Sequence, residues 1–376
     1  MSRVDIHRPA MGRIAVKALA LFVLINALFV LVDPLPAIGS LSAYNVIFPG
    51  RPRLPYSDFP DRAYNLSLYT LNAMFAAHEI NAGPKPADEY RILLIGDSSV
   101  WGFLLKPEQT LAAYLNAGRY MSPDGRRVRV YNLGYPIMSV TKDLLLLREA
   151  MRYQPDLIVW LVTLESLPRN RQLIHPLVQN NASAVRALIA EYGLALDPND
   201  ARLIDPSVFD RTVVGRRRHV ADIIRLQLYG VLWAATGIDQ DYPDYEPAAI
   251  DLEADETFHD LKPPMLRAED LALDVLRAGH ALAGATPILL VNEPILISNG
   301  RNSDVRYNFF YPRWAYDQYR ALLAAEAQRN RWHYLDVWDI VPMSEFTNSA
   351  VHLTPAGSLL LANRIAEAVQ KIARRD

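Results

Sequence analysis

Two residues far apart in the chain have the chemistry of a nucleophile and its base. The stretch Arg91 to Gly102, RILLIGDSSVWG, is an apolar run from Ile92 to Ile95 that ends in a small polar turn, presenting Ser98 and Ser99 where a helix can begin. A parallel α/β sheet displays a nucleophile in this way, although Gly, Asp and Ser also serve as an ordinary strand-to-helix turn and N-cap. Near the other end, VHLTPAG places His352 in a loop just before the last helix. A serine hydroxyl needs a base to become nucleophilic, and an imidazole within hydrogen-bond reach is the usual one.

The elements that must bring these residues together alternate. After Gly102, Thr110 to Tyr120 reads as a helix, Arg127 to Leu133 as a strand, Val140 to Tyr153 as a helix and Asp156 to Thr163 as a buried strand. The rhythm resumes with a strand over Pro287 to Asn292, a helix over Tyr316 to Arg329, a short strand over Tyr334 to Val337 and a closing helix over Pro355 to Ile372. Thr354 is the expected N-cap of that helix, with Pro355 in its first turn. This pattern predicts an α/β fold with a doubly wound, five-stranded parallel sheet whose crevice lies at the C-terminal ends of the strands.

Between the third and fourth strands lies an insertion, residues 167–267, far longer than a crossover requires. Within it Arg216-Arg217-Arg218-His219 leads into VADIIRLQLYGVLWAATG, expected as a helix over the sheet, with a membrane-surface helix as the alternative. Asp222 and Arg225 argue against a second membrane span. Asp239 to Asp260 is acidic but lacks compact ligand spacing, so it reads as a solvated loop; no metal and no cofactor is expected.

The formal net charge of −2 supplies no basic field for nucleic acid, which is excluded as an expected partner. The chain has no cysteine, which excludes disulfides, thiolate metal sites and a cysteine nucleophile. At the N-terminus, Arg3, His7, Arg8, Arg13 and Lys17 precede the apolar run Ala18 to Val32, broken only by Asn26 and stopped by Asp33 and Pro34. With Ile14 to Val16 ahead of it and Lys17 able to snorkel, the run approaches the ~20 residues of a single membrane span, and the basic flank places the N-terminus in the cytoplasm and the remainder outside. A cleaved signal peptide, cut near Ala37-Ile38-Gly39, is the competing expectation. The predicted organisation is a cytoplasmic tail and signal anchor over residues 1–40, a partly ordered neck over 41–89 with a helix-like Leu66 to Ile80, and an α/β domain over 90–376 that carries the insertion.

Three motifs in order resemble the SGNH, or GDSL, hydrolases: Gly96-Asp97-Ser98 after the first strand, Asn132-Leu133-Gly134 after the second, and His352-Leu353-Thr354-Pro355-x-Gly357 near the end. The resemblance covers about 170 residues, from Tyr90 to Glu165 and again from Thr286 onward. It implies a flavodoxin-like strand order, Ser98 as nucleophile, His352 as general base, and the backbone amides of Ser98 and Gly134 as oxyanion donors. The implied chemistry is acyl transfer from an ester to water or another hydroxyl. The anchor and exported domain resemble the family's membrane-bound members that add or remove O-acetyl groups on cell-surface polysaccharides, which implies an acylated glycan as substrate and a membrane-bound acyltransferase as a candidate partner.

Two positions depart from the family pattern. Where the family has an Asn that donates to the oxyanion, this chain has Glu165, whose ionised carboxylate only accepts. The family's Asp three residues before the histidine is replaced by Ser349, leaving Asp339, Glu345, Asn348, Ser349 or a backbone carbonyl to orient His352. These departures keep open a second reading, a catalytically silent domain that binds a glycan or assists an acyltransferase. Asn292 and Glu293, ending the fourth strand, and Tyr311 and Arg313, within YNFFYPRW, are candidate substrate contacts, with strand ending and aromatic packing as the alternatives. The remaining histidines, His78, His175, His219, His259, His280 and His333, occur singly and are assigned no catalytic role. A nucleotide binder of the same topology is disfavoured because no Gly-rich phosphate loop follows any strand.

Overall fold

A computed structural model describes residues 11–47, 50–58, 66–236 and 244–374. Five strands form one parallel sheet: β1 (Glu89–Ile95), β2 (Arg127–Asn132), β3 (Leu157–Val162), β4 (Ile288–Asn292) and β5 (His333–Asp336), in the order β2-β1-β3-β4-β5. All neighbouring pairs are parallel. The order reverses at β1, and a doubly wound sheet opens its crevice at such a reversal.

The central strands are apolar on both faces because helices cover both. Leu93 and Ile95 of β1 join Ile158, Trp160 and Val162 of β3 in one core, with the helices Val140–Ala150 and Leu273–Ala283. Ile92 and Leu94 join Val159 and Leu161 in the other, with Leu111–Ala117 and Pro355–Ala373. The period-two alternation of strand side chains thus feeds two separate layers. Thr354 caps the last helix through Gly357 N, with Pro355 in the first turn.

Residues 41–89, expected as a partly ordered neck, are instead packed into the domain where described. Leu54, Leu66, Leu68 and Phe75 are buried in the same core as β1 and β3. The Arg53 Nη1 donates to the carbonyls of Gly102 and Leu105 at 2.9 and 3.0 Å, and its guanidinium lies 4.3 Å from the Trp101 ring centroid. The helix in this region is shorter than expected, Leu71–Ala77. Phe48-Pro49 and Phe59-Pro60 lie outside the described residues, as do Arg3, Asp5, His7 and Arg8 of the basic flank.

The helix Val213–Thr236 also departs from expectation. It packs not over the sheet but against the N-terminal helices Met11–Val32, Leu35–Ser40 and Ala43–Ile47 and against Leu71–Ala77. Its Ile223 and Leu226 are buried there, and Gln227 Oε1 accepts from Ala43 N at 2.7 Å. Among the described residues one helix, Met11–Val32, is long and apolar enough to cross a membrane or serve as a signal sequence.

The loop after β2 approaches the nucleophile turn so closely that only glycine fits at 134, where a Cβ would lie 2.5 Å from Trp101 N and 2.8 Å from the carbonyl carbon of Val100. Those atoms are backbone and cannot swing aside. We expect Gly134→Ala to destabilise the protein by about 1–3 kcal/mol through overpacking, read as a lower midpoint in urea unfolding; an unchanged midpoint would show that the loop yields.

Candidate active site

Three strand ends and one distant loop build the site. β1 ends at Ile95, and Asp97 caps the one-turn helix Ser98–Trp101 by accepting from Ser99 N at 2.8 Å. Ser98 is therefore the first residue of a helix whose leading N–H groups have no partner within the helix. The loop carrying His352 closes on itself: Phe346 pairs with Leu353 in an antiparallel bridge, and Thr347 N donates to His352 O at 2.9 Å. Leu296 N donates to Ala350 O at 2.7 Å, fastening this loop to the segment after β4.

The result is a continuous chain of hydrogen bonds. His352 Nε2 lies 2.7 Å from Ser98 Oγ, across 254 positions of sequence. His352 Nδ1 lies 2.8 Å from Asn348 Oδ1, which as a carbonyl oxygen accepts. This assigns the Nδ1–H tautomer and leaves Nε2 free to accept the serine proton. Of the orienting candidates, Asn348 alone holds that nitrogen; the hairpin turns position 348 toward 352, so Asp339 and Ser349 do not. Glu345 instead accepts from Thr354 Oγ1 at the last helix. Phe103 stacks on the imidazole, with centroids 4.8 Å apart and planes inclined by 29°.

Burial lowers the pKa of His352 to about 4, an effect opposed by the negative charges of Asp97 and Asp58. A neutral Asn348 adds no compensating charge, whereas a carboxylate there would favour the imidazolium.

One of the implied oxyanion donors is already taken. Gly134 N donates to Asn132 Oδ1 at 3.0 Å, so that amide is already engaged. Glu165 is turned into a separate cluster, its Oε2 2.7 Å from His259 Nε2 and its Oε1 3.4 Å from Arg171 Nε. The acidic insertion thus returns to the sheet edge through His259, a pairing that neither residue signals alone in sequence.

Of the four residues expected to contact substrate, Asn292, Glu293 and Tyr311 are buried and Arg313 is partly buried. Asn292 is fully buried, donating to Asp336 Oδ1 at 2.8 Å and accepting from the Tyr319 hydroxyl at 2.9 Å. β3 and β5 flank β4, so its last side chain is enclosed. Glu293 is buried behind the nucleophile turn and accepts from Ser99 Oγ. Its pKa is raised well above the ordinary value by burial and then by the charge of Asp97. Tyr311 is buried with its hydroxyl 3.1 Å from Thr163 Oγ1, and Arg313 donates to Ser303 O at 2.6 Å while covering the Tyr307 ring.

Sequence reasoning missed Lys142. Its fully buried ammonium donates to Gly96 O and Tyr135 O, both at 2.7 Å, and pairs with Asp143 at 2.6 Å. The signal was present as Lys142-Asp143 within an otherwise apolar helix face. Phe103 and the neck residues carried no comparable signal.

No family model and no curated protein matches this chain. Among solved structures it is similar to a carbohydrate acetylesterase family member from Sinorhizobium meliloti, at 12% identity and TM-score 0.33, covering 75% of this chain and 98% of that one. It is similar also to an acetylxylan esterase from Geobacillus stearothermophilus, at 13% identity and TM-score 0.37, covering 74% and 94%. An aryl esterase from M. smegmatis matches at 14% identity and TM-score 0.34, covering 75% and 98%.

A base with a pKa near 4 stays neutral down to that pH, so activity that requires neutral His352 falls only as pH drops through about 4. Replacing Asn348 with Asp introduces a charge that favours imidazolium. We expect Asn348→Asp to move the acid limb of kcat/KM upward by at least one pH unit and to raise kcat, bounded by the roughly 10⁴ that a triad acid is worth in serine proteases. An acid limb left near pH 4 in the variant would refute this electrostatic account.

Proposed function

We propose that this chain is an SGNH-type serine esterase or O-acyltransferase, held at the membrane by Met11–Val32 with its α/β domain outside the cytoplasm. One observation carries the catalytic reading: the chain Ser98 Oγ to His352 Nε2 to Asn348 Oδ1, at 2.7 and 2.8 Å. In the proposed reaction Ser98 Oγ attacks an ester carbonyl as His352 Nε2 takes its proton. The Nδ1–H remains on Asn348, which keeps the ring oriented. The Ser98 amide faces the developing oxyanion at the helix start, His352 returns the proton to the departing alcohol, and an acyl-Ser98 intermediate remains. Water then yields the acid, or a second hydroxyl yields the transferred ester.

Arg13 and Lys17, preceding the apolar run, support a cytoplasmic N-terminus. The motifs at Ser98, Gly134 and His352, joined to a membrane anchor, support an acyl group, most simply acetyl, on a carbohydrate. A membrane-bound acyltransferase is the partner that such an architecture suits.

A second reading, binding without turnover, draws on Glu165 at the oxyanion donor's position and on the Gly134 amide already bound to Asn132. Each missing oxyanion donor lowers the rate by about 10²–10³. A fluorophosphonate serine probe separates the two. The esterase reading expects labelling of the wild type, none of Ser98→Ala, and a fall of about 10⁶ in p-nitrophenyl acetate turnover, or to background. A folded wild type that resists the probe overturns the assignment of Ser98 as nucleophile.

A further inference from the structure

We infer that the turn at Val208-Phe209 and the arginines opening the helix Val213–Thr236 form a second membrane contact, seated in the acidic phospholipid headgroups of the leaflet that surrounds the anchor. This rests on the reading of Met11–Val32 as a membrane span.

The depth of the turn follows from a polar residue in that span. Asn26 interrupts the apolar run, and a polar side chain in a span is costly unless it finds a partner. Its Nδ2 donates to Phe22 O at 2.9 Å, and its Oδ1 accepts from Val214 N at 3.4 Å. Asn26 lies six positions before Val32, or about 9 Å below the outer end of the span at the helical rise per residue. Interfacial segments bury their apolar side chains about 5–10 Å into the headgroup and acyl boundary. The start of Val213–Thr236 therefore stands at that boundary.

The side chains presented there suit it. Val208 and Phe209 are 64% and 62% exposed, and Phe209 O accepts from Thr212 N at 3.0 Å, two positions before Val214. Arg211, Arg217 and Arg218 are exposed around them, with Arg216 partly so. The facing acids are few: Asp210 accepts from the Ser207 hydroxyl and backbone, and Asp222 lies 3.7 Å from Arg218. Arg217 also donates to Val214 O at 2.7 Å. The four arginines exceed these two acids, giving a local positive charge that complements phosphate groups. Higher on the same helix, Ile224, Leu228 and Leu232 continue an exposed apolar row, while Gln227 reaches Ala43 beyond the end of the span. The arginines and the Val208-Phe209 turn at the start of the helix are therefore the part that meets the bilayer surface, and the apolar row above them lies outside it.

The natural absence of cysteine makes the test direct. The full chain carrying Phe209→Cys, labelled with an environment-sensitive fluorophore, is reconstituted into vesicles of phosphatidylcholine and phosphatidylglycerol. Glu367→Cys, exposed in Pro355–Ala373 on the opposite face of the sheet, is the control. We expect a blue-shifted 209 label, at least twofold more quenched by shallow doxyl lipid and at least twofold less by aqueous iodide than the control. Replacing Arg216, Arg217 and Arg218 with Gln should reduce the lipid quenching. Equal iodide quenching of both labels on protein that floats with the vesicles overturns the second contact alone. Shielding from iodide without lipid quenching assigns the patch to a protein partner and also overturns it. A chain that fails to float overturns the anchor reading, and this inference with it.

Discussion

A buried ammonium holds the two loops of the site in one place. Lys142 Nζ donates to the carbonyl of Gly96 in the nucleophile turn and to that of Tyr135 in the loop after β2, while Tyr135 N also donates to Gly96 O at 3.0 Å. Removing a lysine from water is costly, and Asp143 at 2.6 Å offsets part of that cost. The remaining donors are spent on two buried backbone carbonyls, one of which, Gly96 O, also accepts from Tyr135 N. The geometry around Ser98 thus depends on a charge outside the hydrogen-bonded chain of Ser98, His352 and Asn348. The close approach of Gly134 to Trp101 completes the same junction from the other side.

The electrostatics of the site differ from those of a triad ending in a carboxylate. Asn348 fixes the tautomer of His352 but contributes no charge, so burial dominates and the base is weak. Negative charge is supplied from farther away, by Asp97 beneath the turn and Asp58 in the neck. Asp97 and Glu293 sit behind Ser98 with Asp97 Oδ2 and Glu293 Oε1 otherwise unpartnered, and burial next to Asp97 favours the protonated form of Glu293. One proton between two carboxyl groups relieves the repulsion that two buried anions would suffer.

The neck joins the N-terminal helices to this chemistry. Trp101, in the nucleophile helix, donates through Nε1 to Leu54 O at 2.8 Å and packs edge-on against Tyr56. Tyr56 packs in turn against Tyr135 and donates to Asp58 at 2.5 Å. The segment leading from the apolar helix is therefore part of the wall of the site.

The alternating strands and helices, the nucleophile turn, the last helix with its Thr354 cap and the pairing of Ser98 with His352 were legible in the sequence, because local periodicity and short motifs encode them. The long apolar helix was equally plain from Ala18 to Val32. The tertiary structure decided what depends on contacts between distant segments. It selected Asn348 over Asp339 and Ser349 through a hairpin closed by Phe346 and Leu353, and turned Glu165 toward His259. It also buried Asn292 and Glu293, which strand-end position alone left facing the crevice, and Tyr311 of the aromatic stretch, and laid Val213–Thr236 against the N-terminal helices. An apolar helix face states that it must be covered, but not by what. Residue type and spacing determined which groups can react; the packing of remote segments decided which partners each group has, since hydrogen-bond partners and burial are properties of the assembled chain.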